Sequence, residues 1–311
     1  MKLDGSLPEL MTGMLDRRNL TVFLFHGVIK RNESDVRNYN GKHITQDLFH
    51  RCMQTLAGKG VSLSMDEVCD YLKDGSDFPA NSYAVTFDDG FENNISIAAP
   101  ILEELKIPAT IYITTDFIDS NTMSWADRLD YMIDQTREKT MILPWEDSAI
   151  PIRENAEKIE ALKLMRAYIK STPGLNLEQL INEIAVTLKT EPVSNSDDPL
   201  DLKMSWEQVR QAVNNELLII GGHSHTHPIL SFLDDSELEY EIQTSVEMMY
   251  EKGRVKPDHY SYPEGLSHCF NSRVINNLKG YGVRCCPTAI SGNNSSGTNP
   301  FYIRREMIIN R

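Results

Sequence analysis

The sequence predicts an α/β fold, a distorted (β/α) barrel of seven or eight strands with a helical insertion on its catalytic face. Three observations predict it. Short β-branched and aromatic runs alternate with longer stretches of helical periodicity. Two groups of chemistry-bearing residues each follow directly on such a run, where a barrel keeps its working side chains. A chain of 311 residues, 41% of them hydrophobic, can bury a full barrel core within one domain.

Taken in order, Leu20 to Phe25 reads as the first strand. Thr45 to Gly58 reads as a helix, with Leu48, Phe49, Cys52, Met53 and Leu56 on its apolar side. Ser64-x-x-Glu67 is a capping box for a helix ending near Gly75. Ser82 to Phe87 is a buried strand, broken by Gly90, and Ile95 to Leu105 is helical until Pro108 stops it. Ala109 to Thr114 is a strand.

Residues 121–205 then form an insertion within the single domain 1–311. Its helical patterns cover Trp125–Gln135, Asn155–Lys170 and Asn176–Lys189, parted by polar, Pro-containing joints. The barrel path resumes at a second capping box, Ser205-x-x-Gln208, and a strand, Leu217 to Ile220. Helices are expected from Asp235 to Lys252 and from Ser272 to Lys279. The remaining strands are expected around His259 to Tyr262, Val283 to Ala289 and Tyr302 to Ile309. The insertion precedes the second chemical motif, so it should emerge on the catalytic face. There Trp125 and Trp145 either stack on a bound ring or pack between helices.

The first motif is Thr86-Phe87-Asp88-Asp89-Gly90. In a regular strand its two carboxylates would point to opposite faces; Gly90 lets the chain turn at once, so both can reach one mouth. A helix cap or Asx turn needs only one Asp, so two argue for chemistry. The second motif is Gly221-Gly222-His223-Ser224-His225-Thr226-His227-Pro228. The spacing of His223 and His227 suits two imidazole ligands on one turn, and Pro228 places that turn in a loop. His225 offers a rival pairing. Two carboxylates and a spaced histidine pair are the parts of a hydrolytic metal site.

Together these motifs resemble the polysaccharide deacetylase, or NodB-homology, superfamily, whose first motif reads T-F-D-D-G and whose second reads H-[ST]-x-x-[HS]. Leu24-Phe25-His26-Gly27-Val28, Met204-Ser205-Trp206 and Ser261-Tyr262-Pro263-Glu264-Gly265 agree with its branch lacking the third-motif arginine. The resemblance covers roughly residues 20–120 and 203–310. It implies that Asp88 is the general base and that Asp89, His223 and His227 hold a divalent metal. Zinc is the default, with cobalt, nickel or manganese also fitting a mixed N/O site. The reaction implied is amide hydrolysis, with the backbone N–H near Glu264 stabilising the oxyanion. Ser261 stands where relatives carry the arginine that orients the base, so Arg304 or Arg305 is expected to serve. The family's Leu-x-His acid has no match after residue 270, and His26 is the candidate either for that role or for a hydrogen bond to the substrate.

Composition narrows the partners. A net charge of −14 argues against nucleic acid and against an anionic membrane surface, and no run approaches a transmembrane span. Met1 to Pro8 has no apolar signal core, and the five cysteines (52, 69, 269, 285 and 286) lack zinc spacing and read as buried thiols. A cytoplasmic enzyme is therefore expected. It would remove an N-acyl group, acetyl by default, from an amide-bearing sugar in cell-envelope saccharide biosynthesis. The rival readings are a deformylase of a formamido sugar, a glycosidase using Asp88, Asp89 and Glu92, and a carbohydrate-binding member without turnover.

Overall fold

The computed structural model describes residues 6–32 and 34–309, so Met1 to Gly5, part of the stretch read for a leader, lies outside it. In chain order, helix α1 (Leu7–Gly13) precedes strand β1 (Thr21–Phe25), which is buried throughout. A short parallel pair follows, β2 (Gly27–Ile29) with β3 (His43–Thr45). Helix α2 (Gln46–Ala57) buries Leu48, Phe49, Cys52, Met53 and Leu56. After β4 (Val61–Ser62), helix α3 (Met65–Asp74) opens with the Ser64–Glu67 capping box and closes on Gly75 in a left-handed conformation. Strand β5 (Ser82–Phe87) leads to a π-helical turn at Asn94–Ala98, which runs into α4 (Ala99–Leu105). Strand β6 (Ala109–Ile113) and the short α5 (Thr115–Ser120) complete this half.

Residues 121–205 contain α6 (Trp125–Gln135), a hairpin of β7 (Thr140–Ile142) with β8 (Ala149–Pro151), α7 (Asn155–Ser171) and α8 (Leu177–Leu188). They build a second core, shared with Val36 and Tyr39 of the connection between β2 and β3, in which Leu129, Ile133, Leu162, Met165, Ile181 and Ile184 pack together. The chain returns through α9 (Trp206–Val213) and β9 (Leu218–Gly222), then α10 (Asp235–Glu251), α11 (Ser272–Gly280) and β10 (Glu306–Met307). Among the described residues no helix is long and apolar enough to cross a membrane.

The main sheet is parallel in the order β10-β1-β5-β6-β9, with β4 against the start of β5. Phe23, Phe25, Val85, Phe87 and Ile111 alternate outward onto α2 and α4 and form the main core. Closure is less regular than the sequence predicts. Residues 259–262 and 284–290 occupy the remaining barrel positions, yet they join it only through isolated bridges at Gly222–Tyr260 and His259–Cys285 and a few single hydrogen bonds. Val283–Ala289 is therefore not a continuous strand, because Pro287 has no N–H to donate. Tyr302–Ile309 is likewise cut down to β10, since Pro300–Tyr302 folds into a 3-10 turn. All five cysteines are free and buried.

Candidate active site

The register of β1, β5, β6 and β9 brings His26, Asp88 and His223 to one end of the barrel. Asp88 continues the ladder, donating its N–H to the Phe25 carbonyl at 3.0 Å. The chain then turns sharply: Asp89 (φ 75°) and Gly90 (φ 71°) are both left-handed. Only glycine suits position 90, because a Cβ there would lie 2.9–3.0 Å from Ile118 and Ile113. Gly222 is equally constrained, as a Cβ would sit 2.3 Å from the Tyr260 ring. That ring brings its hydroxyl to accept the Ser224 N–H at 2.8 Å, fixing the start of the histidine loop.

The loop is not helical. Ser224 and His227 are left-handed (φ 65° and 66°), and the His227 N–H donates to Ser224 Oγ. Glu241 of α10 accepts from the N–H groups of His225 and Thr226 and from the Thr226 hydroxyl, so one buried carboxylate pins the whole turn. The ring of His225 goes to Thr115 Oγ1 and Tyr240, away from the other two histidines.

His223 Nδ1 donates to the Ser261 carbonyl at 2.8 Å, which leaves Nε2 with a bare lone pair. That Nε2 lies 3.6 Å from Asp89 Oδ1, and His227 Nε2 lies 3.4 Å from the same oxygen. Three donors bound to one ion at about 2.0–2.2 Å stand about 3–3.6 Å apart, so the spacing fits a shared cation. Burial keeps His227 below its usual pKa and so neutral, as a ligand must be. Burial raises the Asp89 carboxyl, but the His227 and His26 rings, which are charged at the acid pH where Asp89 titrates, together with the Lys42 ammonium outweigh it and hold the acid ionised.

Asp88 is gripped differently. Burial opposes its charge, yet the Arg305 guanidinium holds its pKa below the usual range. Arg305 is fully buried and donates to both carboxylate oxygens at 2.8 Å, a bidentate fork. Its Nε is fixed by the Thr288 carbonyl. Ser261 Oγ accepts from the same guanidinium at 2.9 Å and donates to Asp88 at 3.3 Å, so serine here links base and arginine. Arg304 points to the Ser291 carbonyl instead.

His26 lies in the mouth with its Nδ1 buried and without a partner among the described residues, and burial depresses its pKa. Glu264 is left-handed (φ 60°), and its carboxylate meets Lys170 of α7 at 2.5 Å. Trp125 lines the mouth, whereas Trp145 stacks on Tyr168 within the insertion at 3.8 Å. Glu92 accepts from Gln208 and Ser96 and does not line the mouth. Lys42 and Arg166 also line it, and no local pattern announces either. They are held by Asp127 and Asp130 of α6, pairings that run across 85 and 36 residues.

A family model described as polysaccharide deacetylase matches residues 75–286. No curated protein matches the chain. Solved structures share its fold at low identity. A deacetylase of Streptococcus pyogenes, PplD, in complex with acetate is 14% identical over 94% of this chain and 93% of its own, with a TM-score of 0.62. IcaB from Ammonifex degensii is 17% identical over 94% and 93%, with a TM-score of 0.55. The BpsB deacetylase domain from Bordetella bronchiseptica is 15% identical over 94% and 97%, with a TM-score of 0.56. With more than half of its length matched by the family model, this chain belongs to the polysaccharide deacetylase family.

Proposed function

We propose that the chain is a metal-dependent carbohydrate N-deacetylase that removes an N-acyl group from an amino-sugar saccharide or precursor of a cell-envelope polysaccharide. One observation carries this reading: Asp89, His223 and His227 converge beside an ionised Asp88 in the mouth of the barrel. When bound, a divalent ion would polarise the amide carbonyl and acidify water. The family and the deacetylases that share the fold support the acyl-sugar substrate.

The chain's own residues then divide the remaining work. Asp88 accepts the proton of the attacking water, and Arg305 and Ser261 hold its oxygens in place for that. The Ser261 carbonyl fixes the His223 tautomer. The Glu264 N–H, which has no hydrogen-bond partner among the described residues, is the donor for the developing oxyanion. His26 is neutral at rest, so its role is to relay a proton to the departing amine rather than to store one.

The test is elemental analysis of the purified protein and its Asp89→Ala variant, with acyl release measured from N-acetyl and N-formyl amino sugars. A metal lost with Asp89, and acetate release that follows the metal, is the expected result. Preferential formate release would favour a deformylase. Sugar binding without acyl release at any metal loading would sink the enzyme reading.

A further inference from the structure

Away from the mouth, a second group of soft ligands converges where the barrel is least well closed. Cys69 comes from α3, His259 from the 259–262 segment and Cys285 from the 284–290 segment. Their donor atoms all lie within 4.8 Å of one another. Both sulfurs approach the same nitrogen, His259 Nδ1, at 3.0 Å from Cys285 and 3.8 Å from Cys69. The other ring nitrogen, Nε2, meets Asp66 at 2.8 Å, so Nδ1 is the nitrogen that faces the two sulfurs, and an ion bound there would displace any proton it holds. A carboxylate behind an imidazole that faces two thiols is the outer-shell arrangement that orients a metal-bound histidine.

We propose that Cys69, His259 and Cys285 form a second metal site, separate from the catalytic one, that takes a thiophilic ion of the zinc class and fastens the barrel seam. Tetrahedral zinc, with bonds of about 2.3 Å to sulfur and about 2.0 Å to nitrogen, sets neighbouring ligand atoms about 3.5–3.8 Å apart. The two sulfur–nitrogen separations, 3.8 Å for Cys69 and 3.0 Å for Cys285, lie on either side of the expected spacing of about 3.5 Å, so the first closes by roughly 0.3 Å and the second opens by roughly half an ångström. All three side chains are buried, while Asp66 is half exposed and marks the route to solvent. The location gives the ion a structural task. His259 and Cys285 sit on the two segments that share one isolated bridge in place of a ladder, and Cys69 anchors both to α3. Two residues beyond His259, Ser261 contacts both Asp88 and His223. The ion would therefore steady the segment that presents Ser261.

This ion is distinct from the catalytic metal and is detected apart from it. The full chain, stripped of metal and kept reduced with a phosphine, is titrated with cobalt(II), as are Asp89→Ala and Cys69→Ser. A thiolate-to-cobalt charge-transfer band in the near ultraviolet is expected in the unaltered chain and in Asp89→Ala. The Asp–His–His site has no sulfur and cannot produce it. Cys69→Ser should weaken or abolish the band while retaining the other equivalent. Absence of the band in both the unaltered chain and Asp89→Ala, with all five thiols titrating as free, would overturn the proposal. That outcome requires no mutation in the cluster, so misfolding of Cys69→Ser cannot obscure it.

Discussion

Asp88 and Asp89 are neighbours in sequence, but their surroundings differ. Asp89 faces two imidazole nitrogens at 3.4 and 3.6 Å, longer than ordinary hydrogen bonds, whereas Asp88 is filled by a bidentate guanidinium and a serine hydroxyl. Asp88→Asn should therefore keep the metal and lose about 10²–10⁴ in kcat, the usual weight of a general base. Full activity in that variant would mean the base lies elsewhere. Arg305→Met should lower kcat with little change in metal content, and partial recovery in Arg305→Lys would show that charge matters beside fork geometry. His223→Ala and His227→Ala should each lose the ion, while His225→Ala should retain it. Loss of metal from His225→Ala, read by elemental analysis, would overturn the assigned pair.

At the scale of elements, α6 is held to the barrel by a buried electrostatic cluster. Its Asp127 meets Lys42, from the connection between β2 and β3, at 2.5 Å and Lys203, from the chain returning to α9, at 3.6 Å. Burial raises the Asp127 pKa, but the two lysines outweigh it and drive it far below 3.8. A depressed carboxylate contributes stability that is present above its unfolded pKa near 3.8 and lost as pH falls through the folded value. Asp127→Asn should flatten that acid arm of the stability profile. It should also cost about 3–5 kcal/mol near neutral pH, because both ammonium groups are left buried without their partner. Denaturant melts across pH would read both effects.

How much was legible follows from how each feature is encoded. The contiguous TFDDG and HSHTHP motifs, the capping boxes and the insertion helices are local patterns, and the sequence displayed them within a residue or two. Arg305 could be offered only as one of two candidates, since its pairing spans 217 residues. Glu241 beneath the histidine loop and the Cys69–His259–Cys285 group had no signature, because their partners meet only after closure. The last two strands were overestimated because β-branched and aromatic content survives where Pro287 and Pro300 forbid a ladder.

For the whole molecule, the −14 charge bears on what leaves the site as much as on what enters. De-N-acetylation turns a neutral amide into an ammonium, which an acidic protein attracts. Release of the cationic product should therefore slow turnover at low ionic strength. The value of kcat is expected to rise as salt goes from about 0.01 M to about 0.15 M and then level off, as the screening length shrinks toward atomic spacings. A flat profile would remove charge from the release step.

The left-handed residues of the mouth also shape how this protein can change. Asp89, Ser224, His227 and Glu264 hold a backbone conformation that side chains other than glycine adopt at a cost, and all four lie in or beside the site. Selection for heat resistance alone would find gains there, and at Asp89 and His227 the gain would remove a proposed metal ligand. Asp89→Gly is the sharpest case: relief of the left-handed backbone should raise thermal stability while turnover is abolished.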